Sequence, residues 1–332
     1  MNNLSELKNP NIGVVVIGRN EGKRLVNCLN SLHEYISQVV YVDSASTDQS
    51  KANAAGMGVH VVALDMDKPF TAARARNIGF ASLLDLRPNI EWVQFVDGDC
   101  VVANEWMNTA VNFLQSHTEV AVVCGRRKEL FPYKSIYNQL CDLEWNTPIG
   151  QAKACGGDAM MRVDAFRLVG GFRDGLIAGE EPELCIRIRQ ASYKIWRLDA
   201  DMTLHDAAIL HFSQWWKRTM RGGYAFAEGA SLHGAAPELH WVAETKRARL
   251  WASVIPLAVI IAFLFKPVYG LLLLLVYPLQ ILKLTLKSQL PFKLAFLQAF
   301  YLVIGKFAEL LGQLKFLLQR YRNKQGSLIE YK

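Results

Sequence analysis

Asp97 and Asp99 close an apolar run, Glu91-Trp92-Val93-Gln94-Phe95-Val96, and only Gly98 separates them. Two carboxylates this close repel unless a cation lies between or beside them. Hard oxygen donors suit Mg2+ or Mn2+, ions that usually complete their shells with substrate phosphates. Gly98 lets the backbone turn and leaves room for a ligand. The plainer reading of Asp-Gly-Asp is a turn that caps the following helix, a role for which Asn104 is better placed. A second acidic cluster is Gly179-Glu180-Glu181-Pro182-Glu183-Leu184. Proline and carboxylates there suit a helix start and the positive end of its dipole, with or without a catalytic role.

The elements that must position these residues follow from the apolar pattern. Val93, Phe95 and Val96 have the character of a short core strand, and in an open parallel sheet ligands collect beyond the carboxyl ends of the strands. Residues 12–18 form a continuous apolar run, as expected of a strand buried on both faces, and Asn20-Glu21 open a helix through Leu25, Leu29 and Leu32. Further strands are expected at 39–42 and 59–64 and a helix at 71–86, with the polar cluster Asp43 to Asp48 capping the helix after the second strand. This β-α rhythm predicts a doubly wound α/β sheet. No Gly-x-Gly-x-x-Gly follows the first strand, and Gly22-Lys23-Arg24 lacks the Ser or Thr of a P-loop, which argues against dinucleotide enzymes and P-loop kinases.

Composition narrows the classes further. Six cysteines occur without a Cys-x-x-Cys pair, so neither a zinc site nor a disulfide framework is expected, and reduced cytosolic thiols are the default. The first ten residues lack the pattern of a signal peptide. The formal charge of +7 hides a division: residues 1–245 hold 24 Lys/Arg against 28 Asp/Glu, and residues 246–332 hold 13 against 2. A basic, apolar tail points to an anionic membrane surface, and the body shows no basic stripe with stacking aromatics, so no nucleic-acid partner is expected.

Four segments in register, Arg19-Asn20-Glu21, Val42-Asp43-Ser44-Ala45-Ser46-Thr47-Asp48, Ala75-Arg76-Asn77-Ile78-Gly79 and Val96-Asp97-Gly98-Asp99, resemble the family 2 glycosyltransferases of GT-A fold. Cys155-Gly156-Gly157-Asp158, Gly170-Gly171-Phe172 and the 179–184 segment extend the resemblance over roughly residues 11–235. It implies a Rossmann-like mixed sheet, a nucleotide-sugar donor, and a divalent ion, Mg2+ or Mn2+. It places Asp43 against the base, Asp97 on the ribose, and Asp99 on the ion that bridges the two phosphates. Arg76 and Asn20 fall beside the nucleotide. Arg76 is otherwise a solvated helix residue whose stem lies on the sheet. Gly18 and Arg19 stand where the family usually has proline and threonine, and no base contact is carried over to them. The second residue of the family's Glu-Asp pair is the base, which assigns Glu181 to the acceptor proton, with Glu180 as the neighbouring candidate. A base opposite the departing nucleotide implies inversion at the anomeric carbon.

Five further residues keep two readings each. Asp158 either receives a sugar hydroxyl or caps a turn. His205, after an expected strand at 202–204, is either a third metal or phosphate contact or a structural histidine. Trp215, Trp216 and Arg218 lie on the acceptor side or touch the membrane interface. They do not reproduce the Gln-x-x-Arg-Trp of processive members, which favours single-sugar addition.

From Leu250 onward two apolar runs, 250–265 and 271–282, flank a turn at 266–270, with basic residues at both outer ends. A membrane hairpin over about 250–286 is expected, its ends in the cytosol, followed by an interfacial amphipathic helix over about 291–320. The expected division is a GT-A domain over residues 1–245 and a membrane region over 246–332. The resemblance, taken with the apolar tail, implies an enzyme of the bacterial envelope or exopolysaccharide type, expected at the inner (cytoplasmic) membrane and facing the cytosol. It would move one sugar to a lipid-linked or saccharide acceptor. The alternatives are a processive synthase and a catalytically silent nucleotide-sugar-binding membrane protein.

Overall fold

A computed structural model describes residues 11–322 together with 329 and 330. The chain divides after Leu210 into two compact units.

The first unit is a nine-stranded mixed sheet with helices packed on it. Its opening half alternates strand and helix: β1 (Ile12–Gly18), α1 (Lys23–Ser31), β2 (Val39–Asp43), α2 (Ser50–Gly56), β3 (His60–Ala63), α3 (Ala72–Leu86) and β4 (Trp92–Asp97). β3, β2, β1 and β4 are parallel neighbours in that order. Val14, Val15, Val16, Val40 and Phe95 are fully enclosed, because helices cover both faces of such a sheet. Thr71 caps α3 by accepting the Arg74 N–H, and Gly79 seats the helix closely on Val15 and Val42.

The second half departs from a simple doubly wound pattern. After β5 (Cys100–Val102) and α4 (Trp106–Ser116), β6 (Val120–Glu129) runs for ten residues and leads into α5 (Ile136–Trp145). Then come β7 (Gly150–Ala152), β8 (Ala159–Arg162), α6 (Val163–Leu168), α7 (Glu180–Gln190) and the long β9 (Lys194–His205). β8 is antiparallel to both β4 and β6, and β5 and β7 are antiparallel to β9. β9, expected only over 202–204, spans twelve residues, with Lys194, Asp199 and Asp201 exposed and Arg197 buried.

The second unit is helical: α8 (Phe212–His233), α9 (Val242–Arg249), α10 (Ile255–Phe265), α11 (Pro267–Leu274), α12 (Val276–Lys287) and α13 (Phe292–Tyr321). α9 continues through a π turn at 250–254 into α10. The first apolar helix therefore covers Val242–Phe265, longer than the apolar run alone, and the break before α11 falls at the extended Lys266. Three helices, Val242–Phe265, Pro267–Lys287 and Phe292–Tyr321, are long and apolar enough to cross a membrane. α13 packs against α8 along much of its length. A Cβ on Gly312 would lie 2.0 Å from the Met220 carbonyl oxygen, and one on Gly223 would lie 2.1 Å from that of Glu309.

Candidate active site

β4 delivers Asp97 to the carboxyl end of the sheet, and α3 delivers Arg76 from the adjoining layer. The Arg76 guanidinium donates to Asp97 Oδ1 at 2.7 Å and to Glu180 Oε1 at 2.6 Å, while its side chain is 2% exposed. Arg76 is thus enclosed rather than solvated, and it joins the Asp-Gly-Asp segment to the start of α7. Burial pushes the Asp97 carboxyl above its ordinary pKa, against the opposing pull of Arg76. The rest of the Arg76 motif is structural. Asn77 clamps the 171–174 loop through the Phe172 carbonyl, the Phe172 N–H and the Asp174 carboxylate.

Glu181 follows Glu180 on α7 and is 2% exposed. Its Oε1 accepts the Cys155 N–H at 2.8 Å and the Cys185 thiol at 2.9 Å, whereas Oε2 is buried without a hydrogen-bond partner. Burial raises its pKa, only partly countered by those donors. Glu183 belongs to the scaffold, paired with Arg173 and Arg187. The α7 cluster therefore splits into an arginine-bound Glu180, a Glu181 with one oxygen unsatisfied, and a structural Glu183.

Asp99 meets His205 across the β5–β9 pair, Oδ2 to Nε2 at 3.2 Å. Donor atoms of Asp99, Cys100 and His205 lie within 4.8 Å of one another. Nδ1 of His205 is buried without a hydrogen-bond partner, and the Trp145 ring tilts over the imidazole at 4.8 Å. Burial and neighbouring carboxylates push the Cys100 thiol well above its ordinary pKa, so it stays protonated and is a poor ligand for a hard ion. The Asp99 carboxylate is the hard oxygen donor that fits Mg2+ or Mn2+, and the acidic surroundings fit too: Asp97 and Glu180 share Arg76, Asp158 pairs with Arg127, and Asp99 adds charge that a cation would offset.

Asp158 lies inside the sheet, below Asp97. It is fully buried, and both of its oxygens are held by the protein. Oδ1 accepts the Asp97 N–H at 2.9 Å. Oδ2 accepts the Thr203 hydroxyl at 2.9 Å and the Cys100 thiol at 3.2 Å, and pairs with Arg127 at 2.9 Å. Burial works against its charge, but Arg127 and the Asp97 amide outweigh it and hold the carboxyl below its usual pKa.

Asp43 is 1% exposed, with its oxygens on the Tyr41 hydroxyl and the Ser46 N–H. Asn20, exposed at φ 56°, ties the loop after β1 to the loop after β2 by accepting from the Thr47 N–H at 2.8 Å. Trp215, Trp216 and Arg218 belong to α8 in the second unit, where Trp215 is buried with its ring 4.8 Å from Tyr301. Arg127 and Thr203 escaped the sequence reading. The alternation of Arg126-Arg127-Lys128 on a strand is the signal that marks one of the three as facing inward.

Residues 13–168 match the family model described as glycosyl transferase family 2. No curated protein matches the chain in sequence. Among solved structures, a mannosyltransferase from Pyrobaculum calidifontis in complex with GDP-Man and Mn2+ is similar, with a TM-score of 0.56 and 17% identity over 93% of this chain and 88% of that one. Glucosyl-3-phosphoglycerate synthase from Mycobacterium tuberculosis, with Mn2+ and UDP, has a TM-score of 0.50 and 16% identity over 69% and 83%. S. aureus TarS reaches a TM-score of 0.47 at 16% identity over 68% of this chain, which spans 46% of that protein. The matched segment, just under half of the chain, supplies Arg76, Asp97, Asp99 and Asp158, and the assignment of the protein as a glycosyltransferase rests on it.

Proposed function

We propose that the protein moves a single sugar, with inversion, from a nucleotide-diphosphate sugar to a hydroxyl of a lipid-linked or polysaccharide-precursor acceptor, using Mg2+ or Mn2+. The observation that carries this is the Arg76 bridge from Asp97 to Glu180, beside a Glu181 with one unsatisfied oxygen. In this assignment Asp97 holds the donor ribose, and Asn20 and Asp43 shape the loops at the nucleotide end. Arg76 lies where negative charge develops on the leaving diphosphate. Asp99 and His205 would hold the ion, which when bound would help neutralise that same diphosphate.

Glu181 is assigned as the base. Its raised pKa makes the carboxylate a better proton acceptor, and its free oxygen is the one an acceptor hydroxyl would meet. Glu180, held by Arg76, is the weaker base because a guanidinium partner stabilises its charge. The apolar helices support a membrane anchor, and the basic residues flanking the first two favour a cytosolic face for the catalytic unit. The anchor supports a lipid-linked acceptor by proximity.

The test is Glu181→Gln in the full-length chain, supplied with nucleotide-sugars and Mn2+. Donor binding should stay within about twofold of the native value while turnover falls by roughly 10² to 10⁴. Turnover retained in this variant and lost in Glu180→Gln would move the base to Glu180.

A further inference from the structure

Glu181 and Cys185 stand about one helical turn apart on α7, and both side chains are enclosed. The Cys185 thiol donates to Glu181 Oε1 at 2.9 Å, and the Cys155 N–H donates to the same oxygen at 2.8 Å. One oxygen of the carboxylate is thus held by two donors, while Oε2 has no hydrogen-bond partner. Burial, and after it the charge of Glu181, lift the Cys185 thiol well above its ordinary pKa, so it keeps its proton and remains a donor.

We propose that Cys185 is a positioning residue for the base: its thiol, together with the Cys155 amide, fixes Glu181 Oε1 and so presents Oε2 to the acceptor hydroxyl. The inference rests on the assignment of Glu181 as the base and adds a residue to it. Cys185 makes and breaks no bond with the substrate, and the hydroxyl proton still passes to Glu181. The residue type carries the argument. A thiol is a weak donor, and a hydroxyl in its place would stabilise the carboxylate charge more and leave a poorer proton acceptor. An apolar side chain would leave Oε1 to the Cys155 amide alone, and the terminal torsion of a glutamate is broad unless its oxygens are held. Burial raises the Glu181 carboxyl, and the strongest pull against it is the Cys185 thiol, ahead of the backbone amides. The other titratable groups facing this pair are Glu180, which is bound to Arg76, and Cys155, whose thiol burial keeps protonated, with Cys124 of β6 beside it and the charge of Arg189 reaching Cys185.

The test is the pH profile of turnover for the full chain in detergent, read as nucleoside diphosphate released from a panel of UDP- and GDP-sugars with Mn2+ and a bacterial membrane lipid extract. Thermal unfolding checks folding. Turnover needs an ionised base, so it falls as pH drops through the Glu181 pKa. Cys185→Ala removes the donor and should move that acid limb up by about half a pH unit or more, the usual size of one lost hydrogen bond. Its plateau turnover should fall about tenfold while the KM for the nucleotide-sugar stays within about twofold of native. Cys185→Ser supplies a stronger donor and should move the limb down. In the Glu181→Gln chain, adding Cys185→Ala should change the residual turnover by less than about twofold, because the group it positions is gone. An acid limb that does not rise in Cys185→Ala, one that moves the same way in both variants, or an equal loss in the Glu181→Gln chain overturns the proposal. If Cys185→Ala fails to fold, Cys185→Ser decides: a lowered limb supports the proposal, and an unmoved or raised one overturns it. Glu181→Gln turning over as fast as native removes the base assignment and this inference with it, an outcome distinct from an essential Glu181 whose profile the Cys185 variants leave unchanged.

Discussion

A side chain at Gly157 would collide with Arg76: its Cβ would lie 2.5 Å from Nη2 and 3.2 Å from Asp97 Oδ2. The missing side chain at 157 is what lets the guanidinium close on Asp97. The obstructed atoms are the end of a long side chain rather than backbone, so Gly157→Ala should fold normally with Arg76 displaced. The expected outcome is donor affinity reduced about tenfold or more, the usual worth of a charge-assisted hydrogen bond, at a melting temperature within a few degrees of native. Donor titration by calorimetry, paired with thermal unfolding, checks it.

Glu181 carries a second consequence, for stability. Its pKa in the folded chain is raised by burial, so its contribution to stability is fully present below its unfolded value and is lost as pH rises through the folded one. Above that folded value the native chain holds a buried carboxylate with one unsatisfied oxygen. Glu181→Gln removes that charge and should unfold at a higher temperature than native at pH 8, with the advantage shrinking toward pH 4. Melting curves across that range test the sign, and a variant less stable than native at pH 8 contradicts it.

The parallel half of the sheet was legible because strands buried on both faces read as unbroken apolar runs, as in Ile12–Gly18 and the 39–42 stretch of β2. β6 and β9 were not, or only in part. Arg126-Arg127-Lys128 and the charged positions of Lys194–His205 break the apolar pattern although the backbone stays extended. The carboxylates of the site were legible as residue types at special places, the end of a strand and the start of a helix. Their wiring was not, since Arg76 meets Glu180 across distant segments and Asp158 gathers donors from four strands. The first apolar helix was read from Leu250 because α9 is rich in charge; helical backbone continues through it all the same.

Asp99 and His205 make the metal assignment testable without reference to the sugar. Asp99→Asn keeps the shape of the side chain and removes the charge that faces His205. Donor binding should become weak and indifferent to Mn2+, and turnover should fall at least a hundredfold, on the order of 3 kcal/mol of transition-state stabilisation. Calorimetry with and without Mn2+ or EDTA reads the first effect, and product formation the second. Equal Mn2+ dependence in the variant and native chains would place the ion elsewhere.

The helical unit offers a test independent of chemistry. α8 and α13 meet at Gly223 and Gly312, where the atoms a Cβ would strike are main-chain: the Glu309 carbonyl for one, the Met220 carbonyl and Tyr224 nitrogen for the other. Backbone cannot swing aside as the end of an arginine can, so a side chain at either position must drive the helices apart. The separation would also open the contact between Tyr224 and Phe316, whose rings are 5.4 Å apart. Gly312→Val is expected to cost about 3 kcal/mol or more, against under 1 kcal/mol for Leu314→Ala on the exposed side of the same helix. Thermal unfolding and limited proteolysis of the detergent-solubilised chain compare the two, and equal stability would mean that α13 does not rest on α8 as described.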